Sequence, residues 1–63
     1  MEIREVRKVS FAVVVTDIGT FRVWDSGVIG EYDEYLHDWT NLNPSKYGLV
    51  TYEEIKKAAE EAE

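Results

Sequence analysis

The residues of this chain that could do chemistry are few, and they crowd into one stretch, EYDEYLHDWT at positions 31–40. His37 is the only histidine, with Asp33 four residues before it and Glu34 and Asp38 close by. On a helix, Asp33 and His37 would share a face, the spacing of a two-ligand metal site or of an acid–base pair. Two ligands do not hold a metal, and no second histidine or any cysteine exists to add a third. Exposed carboxylates have no burial to shift their pKa values, so proton transfer by His37 with Glu34 or Asp38 lacks a physical cause. Ser10, Ser26 and Ser45 have no companion that would activate a nucleophile. Gly19, Gly27, Gly30 and Gly48 are scattered rather than gathered into a phosphate-cradling loop. The expectation is no enzyme, no catalytic residue, no metal and no cofactor.

Aromatic content is the feature that rises above background. Of eight aromatic residues, Trp24, Tyr32, Tyr35, Trp39, Tyr47 and Tyr52 lie in the acidic half or at its border. A core built from 63 residues cannot readily bury them all. Trp and Tyr are common anchors of protein interfaces. The candidate partner-binding residues are therefore Trp24 and Arg22, the carboxylates of Glu31, Asp33, Glu34 and Asp38, and Tyr47. Core packing also accounts for part of this set, and whether Trp24 serves core or interface stays open.

Charge bounds the partner. The net charge is −6, and it is unevenly placed. Residues 1–30 hold four acids and four bases, while residues 31–63 hold nine acids against Lys46, Lys56 and Lys57. Direct nucleic-acid binding needs a basic patch, so it is not expected. An acidic half suits a basic protein partner, or simply solubility. With no cysteine there is no disulfide, which fits a reducing compartment. The longest apolar run, Phe11 to Val15, falls far short of the roughly 20 residues of a membrane span, and the N-terminus has no apolar signal region. These features predict one small soluble α+β domain over residues 1–63, cytoplasmic in a cell or an infected host.

The elements that must position these residues begin with a hairpin. Val9, Phe11, Val13 and Val15 alternate with Ser10, Ala12, Val14 and Thr16, and Phe21 and Val23 continue the alternation after a turn. A three-residue loop, Asp17-Ile18-Gly19, pairs Thr16 with Thr20, Val15 with Phe21 and Val13 with Val23, lining Val9, Phe11, Val13, Val15, Phe21 and Val23 on one face. Gly19 suits the left-handed position of such a loop. Trp24 then falls on the other face, across from Ala12. A first strand running from Arg4 to Thr16 outreaches its partner. Its free half would pair with Val28-Ile29, reached through the Asp25-Ser26-Gly27 turn, with residues 47–50, or with a second copy.

Beyond Gly30 the period changes. Tyr32, Tyr35, Leu36 and Trp39 fall at i, i+3, i+4 and i+7, predicting a short helix that Asn41, Asn43 and Pro44 end. A C-terminal helix is expected from Thr51, with Thr51 and Glu54 as a capping box, Val50 and Ile55 as a staple, and a thin apolar stripe of Tyr52, Ile55, Ala59 and Ala62. The fold expected is an antiparallel β-hairpin or three-stranded sheet followed by one short and one C-terminal helix.

Residues 43–54, NPSKYGLVTYEE, are similar to the loop of an EF-hand. Asn43, Ser45, Gly48, Val50, Thr51 and Glu54 fall at positions 1, 3, 6, 8, 9 and 12 of that family's loop, with Gly48 at its turn glycine. The family's usual leading Asp is Asn43 here, and its fifth position is Tyr47. Only Glu54 would bring a carboxylate to an ion that takes about six to eight oxygens, so calcium is not expected.

Taken together, these residues predict a small acidic interaction protein that binds and modulates or inhibits a protein partner. A phage-encoded inhibitor fits that size and charge, as does a nucleic-acid mimic directed at a basic nucleic-acid-binding protein. The alternative is a structural homo-oligomer assembling through the long first strand.

Overall fold

In the computed structural model, which describes residues 1–61, five antiparallel strands are followed by one helix. The strands are β1 (Ile3–Lys8), β2 (Ala12–Thr16), β3 (Gly19–Val23), β4 (Ile29–Asp33) and β5 (Asp38–Asn41), and the helix is α1 (Leu49–Glu61). Each strand pairs with the next in chain order, so β1 and β5 are the edges. The α+β class holds. The hairpin or three-stranded sheet with two helices does not, because the sheet has two more strands and the short helix is absent from the described residues. No helix among the described residues is long and apolar enough to cross a membrane.

The expected long first strand is two strands. The chain reverses at residues 9–11 and lays β1 back on β2, with Lys8 opposite Ala12 and Val6 opposite Val14. The expected overhang therefore finds its partner within the same segment, β1 pairing with β2 from Ile3 to Lys8. The edge that remains, β1, carries exposed Glu5 and Arg7 and an irregularity between Ile3 and Glu5, features that discourage further pairing.

The β2–β3 register also differs from expectation. Thr16 pairs with Gly19, Val14 with Phe21, and Ala12 with Val23, leaving a two-residue loop of Asp17 and Ile18. The Thr16 hydroxyl closes this turn. It donates to the Gly19 carbonyl at 2.8 Å and accepts from the Ile18 and Gly19 amides, both at 3.2 Å. Gly19 is not in the left-handed loop position; it opens β3 at φ 152°, a conformation that a Cβ disfavours. One residue of slip inverts a strand, so Ala12, Val14 and Thr16 are buried while Val13 and Val15 face outward. β2 is apolar on both faces, so alternation alone did not determine its orientation.

No helix forms over residues 32–39. Those residues are the β4–β5 hairpin, in which Tyr32 pairs with Trp39 and Asp33 with Asp38 across a four-residue turn. Asp33 Oδ1 accepts from the amides of Tyr35 (2.8 Å) and Leu36 (3.2 Å), an Asx turn that offers the backbone an alternative to a helix. His37 takes a positive φ of 52° and returns the chain. The i, i+7 spacing of Tyr32 and Trp39 is equally the spacing of partners across such a turn.

The Asp25-Ser26-Gly27 turn does lead into a strand. Trp24 N donates to the Val28 carbonyl and Gly27 N to the Trp24 carbonyl, both at 2.9 Å. The strand is β4, and it pairs with β3 rather than with the first strand. Residues 47–50 form no strand. Instead α1 starts two residues before the expected cap, with Tyr52 N donating to the carbonyl of Gly48, whose φ is +90°. Thr51 and Glu54 are thus inside the helix and do not cap it. This also absorbs the second half of the EF-hand-like segment into α1.

The core lies between α1 and one face of the sheet. Ile55 and Ala59, one turn apart, are buried against β2 and β3, with Tyr52 and Ala58 flanking them. From the sheet come Ala12, Val14, Phe21, Val23 and Ile29, and from the following segment Leu42. Small residues at Ala12 and Ala59 suit close approach of helix and sheet. Ala62, the last residue of the expected stripe, lies outside the described residues.

Candidate interaction surface

The face of the sheet opposite α1 carries the outward residues of every strand. The register sets Arg7, Val13, Arg22, Gly30 and Asn41 side by side across it. On the strand ends to either side stand aromatic pairs. Phe11 and Trp24, just beyond the Ala12–Val23 pair, have ring centroids 4.6 Å apart. Tyr32 and Trp39, directly cross-strand, meet edge-to-face at 5.3 Å. Such pairs contribute about 0.5–1.5 kcal/mol beyond the area they bury.

Arg22 joins the two pairs. Its guanidinium carbon lies 4.4 Å from the Trp39 ring centroid, 5.1 Å from Trp24 and 5.5 Å from Phe11. Gly30 stands opposite Arg22 in the register, with the Thr40 carbonyl 3.5 Å from where a Cβ would be, so a side-chain carbon there would sit in ordinary contact with its neighbours. A Cβ there would stand 3.8 Å from the Trp39 ring and 3.9 Å from Arg22 Nε. Cation–π contacts of this kind contribute from about 0.5 kcal/mol when exposed to about 2 when desolvated. Arg22 Nε is buried and has no hydrogen-bond partner. Among the described residues the guanidinium makes no ion pair, although the chain as a whole is acidic.

The acids occupy different ground. Asp33, Glu34 and Asp38 lie at the tip of the β4–β5 hairpin, directly beyond the Tyr32–Trp39 pair. Asp33 and Asp38 also hold local backbone, the latter accepting from Trp39 N at 2.7 Å. Tyr35 at this tip is 97% exposed, and Leu36 is exposed beside it. The hairpin is therefore both acidic and apolar at its end. Trp24, at the far end of the aromatic band, is 39% exposed.

Glu31 and Tyr47 belong to neither place. Glu31 faces the core side of β4, opposite Phe21, and is only 8% exposed. Tyr47 OH and Lys46 Nζ both donate to its carboxylate, which makes a buried charge tenable. The hydrogen bond to Glu31 is the leading reason that the Tyr47 hydroxyl titrates above its ordinary range, with burial adding to it. The same carboxylate raises the Lys46 ammonium. Tyr47 also packs edge-on against Phe21, its ring centroid 6.0 Å away. These residues hold the segment after β5 to the sheet. They border an open cleft of about 340 Å³ whose other walls include Asp33, Glu34 and Tyr35.

Of the residues singled out from the sequence, the structure thus joins Arg22 with Trp24, groups Asp33, Glu34 and Asp38 at the adjoining tip, and sets Glu31 and Tyr47 on the other side of the sheet. Sequence reasoning missed Phe11, Tyr32 and Trp39 as members of the Arg22 cluster, and Lys46 as the partner of Glu31. Phe11 was assigned to the core by the shifted register, and Tyr32 and Trp39 by a helix that does not form. A signal for Phe11 was present: it and Trp24 are equidistant from the Asp17-Ile18 loop. Comparison with protein-family models, curated proteins and solved structures returned no match.

Proposed function

We propose that this chain is a non-enzymatic interaction protein that binds and modulates or inhibits another protein through the outer face of its sheet. The observation that carries the reading is that α1 covers one face only. The other face presents Phe11, Arg22, Trp24, Tyr32 and Trp39 with no element of the described chain across them. Aromatics and arginine are the residue types that supply most binding energy at protein interfaces. Asp33, Glu34 and Asp38 border this band and give a basic partner surface, such as that of a nucleic-acid-binding protein, something to meet.

The test is affinity capture from a native lysate with the wild type, Trp24→Ala and Trp39→Ala, each checked for folding by circular dichroism. Loss of a captured protein by folded variants supports the reading. Capture unaffected by both substitutions would remove the face from consideration. In the nucleic-acid-mimic version, binding weakens steeply with added salt, and salt-insensitive binding would discard that version.

A second reading, self-association, is favoured by the free backbone edge of β5, since the β1 edge carries the charges and irregularity that discourage pairing. Light scattering after size exclusion decides it. A strict monomer at micromolar concentrations ends that reading.

A further inference from the structure

We infer that the outer sheet face takes a partner segment in which a carboxylate stands between apolar side chains, the carboxylate pairing with the terminal nitrogens of Arg22. This rests on the reading of that face as the partner-binding surface and specifies the partner's chemistry. Three observations meet at Arg22. Its guanidinium is held among the rings of Phe11, Trp24 and Trp39, so its position is set by packing before any partner arrives. Its Nε is sealed from solvent without a hydrogen-bond acceptor. In a chain with a net charge of −6, no carboxylate among the described residues pairs with it.

A half-buried cation on an aromatic floor, its terminal nitrogens without a carboxylate partner among the described residues, has an evident complement. Charge-assisted pairs of arginine with carboxylate are strong and often bidentate, and a surrounding low dielectric strengthens them. Trp24 and Trp39 on either side offer apolar surface to the residues flanking the carboxylate. The other charges in the central row reduce to Arg7 at the β1 edge, and Arg7 is already paired with Glu5 at 2.8 Å. A polyanion would meet one available cation here and the acids of the hairpin tip beside it. Single-stranded nucleic acid, which also stacks on aromatics, is therefore the less favoured occupant.

The experiment uses the full chain and two synthetic peptides, acetyl-Val-Leu-Glu-Phe-Val-amide and its Gln counterpart, which differ only in the carboxylate. Nitrogen-15 NMR follows the Arg22 Nε–H and the indole N–H signals of Trp24 and Trp39. The Glu peptide is expected to shift all three and to bind about tenfold more tightly than the Gln peptide, the discrimination a charged hydrogen bond typically supplies. Arg22→Met is expected to abolish the difference, and Arg22→Lys to restore only part of it. Equal binding of the two peptides by the wild type overturns the inference without reliance on any variant. So does tighter binding of oligothymidylate at the same signals. If Trp24→Ala loses a captured partner while Arg22→Met keeps it, the carboxylate is wrong and the face is right. If neither substitution affects capture, the face itself is wrong.

Discussion

Replacing Val14 by threonine, and separately Val13 by threonine, puts the same chemical change on the two faces of β2. Threonine keeps the branched shape and the strand preference, so the pair isolates the effect of burial. Val14 is fully buried among apolar residues and pairs with Val6 and Phe21. A hydroxyl placed there loses its water and gains no side-chain acceptor, at a cost of about 1–3 kcal/mol. Val13 lies on the outer face and is only partly buried, so its hydroxyl reaches solvent and the change stays within about 0.5 kcal/mol. A chain of 63 residues has a total stability of roughly 3–9 kcal/mol. A loss of about 2 kcal/mol at Val14 therefore lowers Tm by roughly 8–16 °C, against a few degrees at Val13. Urea titration followed by tryptophan fluorescence measures both, with an unchanged m-value required for the comparison. Equal costs, or a larger cost at Val13, would mean that β2 faces the other way and that the outer aromatic band described above is wrong.

Other outcomes follow from single contacts. Tyr47→Phe removes a donor from the nearly buried Glu31 carboxylate and is expected to destabilise by about 1–3 kcal/mol at neutral pH, read by chemical denaturation. The Tyr47 pKa is raised in the folded state by its bond to Glu31, so its stabilisation is complete below the unfolded value of about 10 and is lost as pH rises through the folded one. Alkaline unfolding of the wild type should thus be steeper than that of Tyr47→Phe; parallel curves would contradict the coupling. Thr16→Val leaves the Ile18 and Gly19 amides without their side-chain acceptor and should cost about 1–3 kcal/mol, with hydrogen exchange accelerating first at those amides. Gly48→Ala meets nothing within 4 Å, so any loss reflects the backbone at φ +90° alone, about 1–2 kcal/mol in thermal melts.

The candidate surface was legible in composition but not in arrangement. The sequence register set Trp24 beside Arg22 on one face, and they do lie together, although Val14, expected with them, is buried on the other. Phe11 and Trp39 were hidden because each fits two patterns. Phe11 belongs to an apolar run that alternates acceptably in either register, and Trp39 sits at a spacing shared by a helix stripe and a hairpin pair. Of the acids and aromatics mixed along the sequence from Glu31 to Trp39, Tyr32 and Trp39 part from the acids once folded, while Tyr35 stays with them at the tip. Strand pairing carries Tyr32 and Trp39 to the sheet face and leaves Asp33, Glu34 and Asp38 at the hairpin end.

Local chemistry by itself determined the α+β class, the reversal after Thr16, the Asp25-Ser26-Gly27 turn and a C-terminal helix with Ile55 and Ala59 on its inner stripe. Each depends on neighbours within a few residues. The tertiary structure alone decided which face of β2 is inside, that β1 folds back on it, and that residues 31–41 extend rather than coil. Those choices turn on contacts beyond the local turns: Val14 enters the core beneath Ile55 and Ala59 of α1, β1 pairs back along β2, and Tyr32 meets Trp39 across the hairpin. The short-range bonds of Thr16 and Asp33 only close the turns. Near-equal apolar content on both faces of a strand leaves its local energy almost degenerate. The weight of the helix on one side breaks the tie.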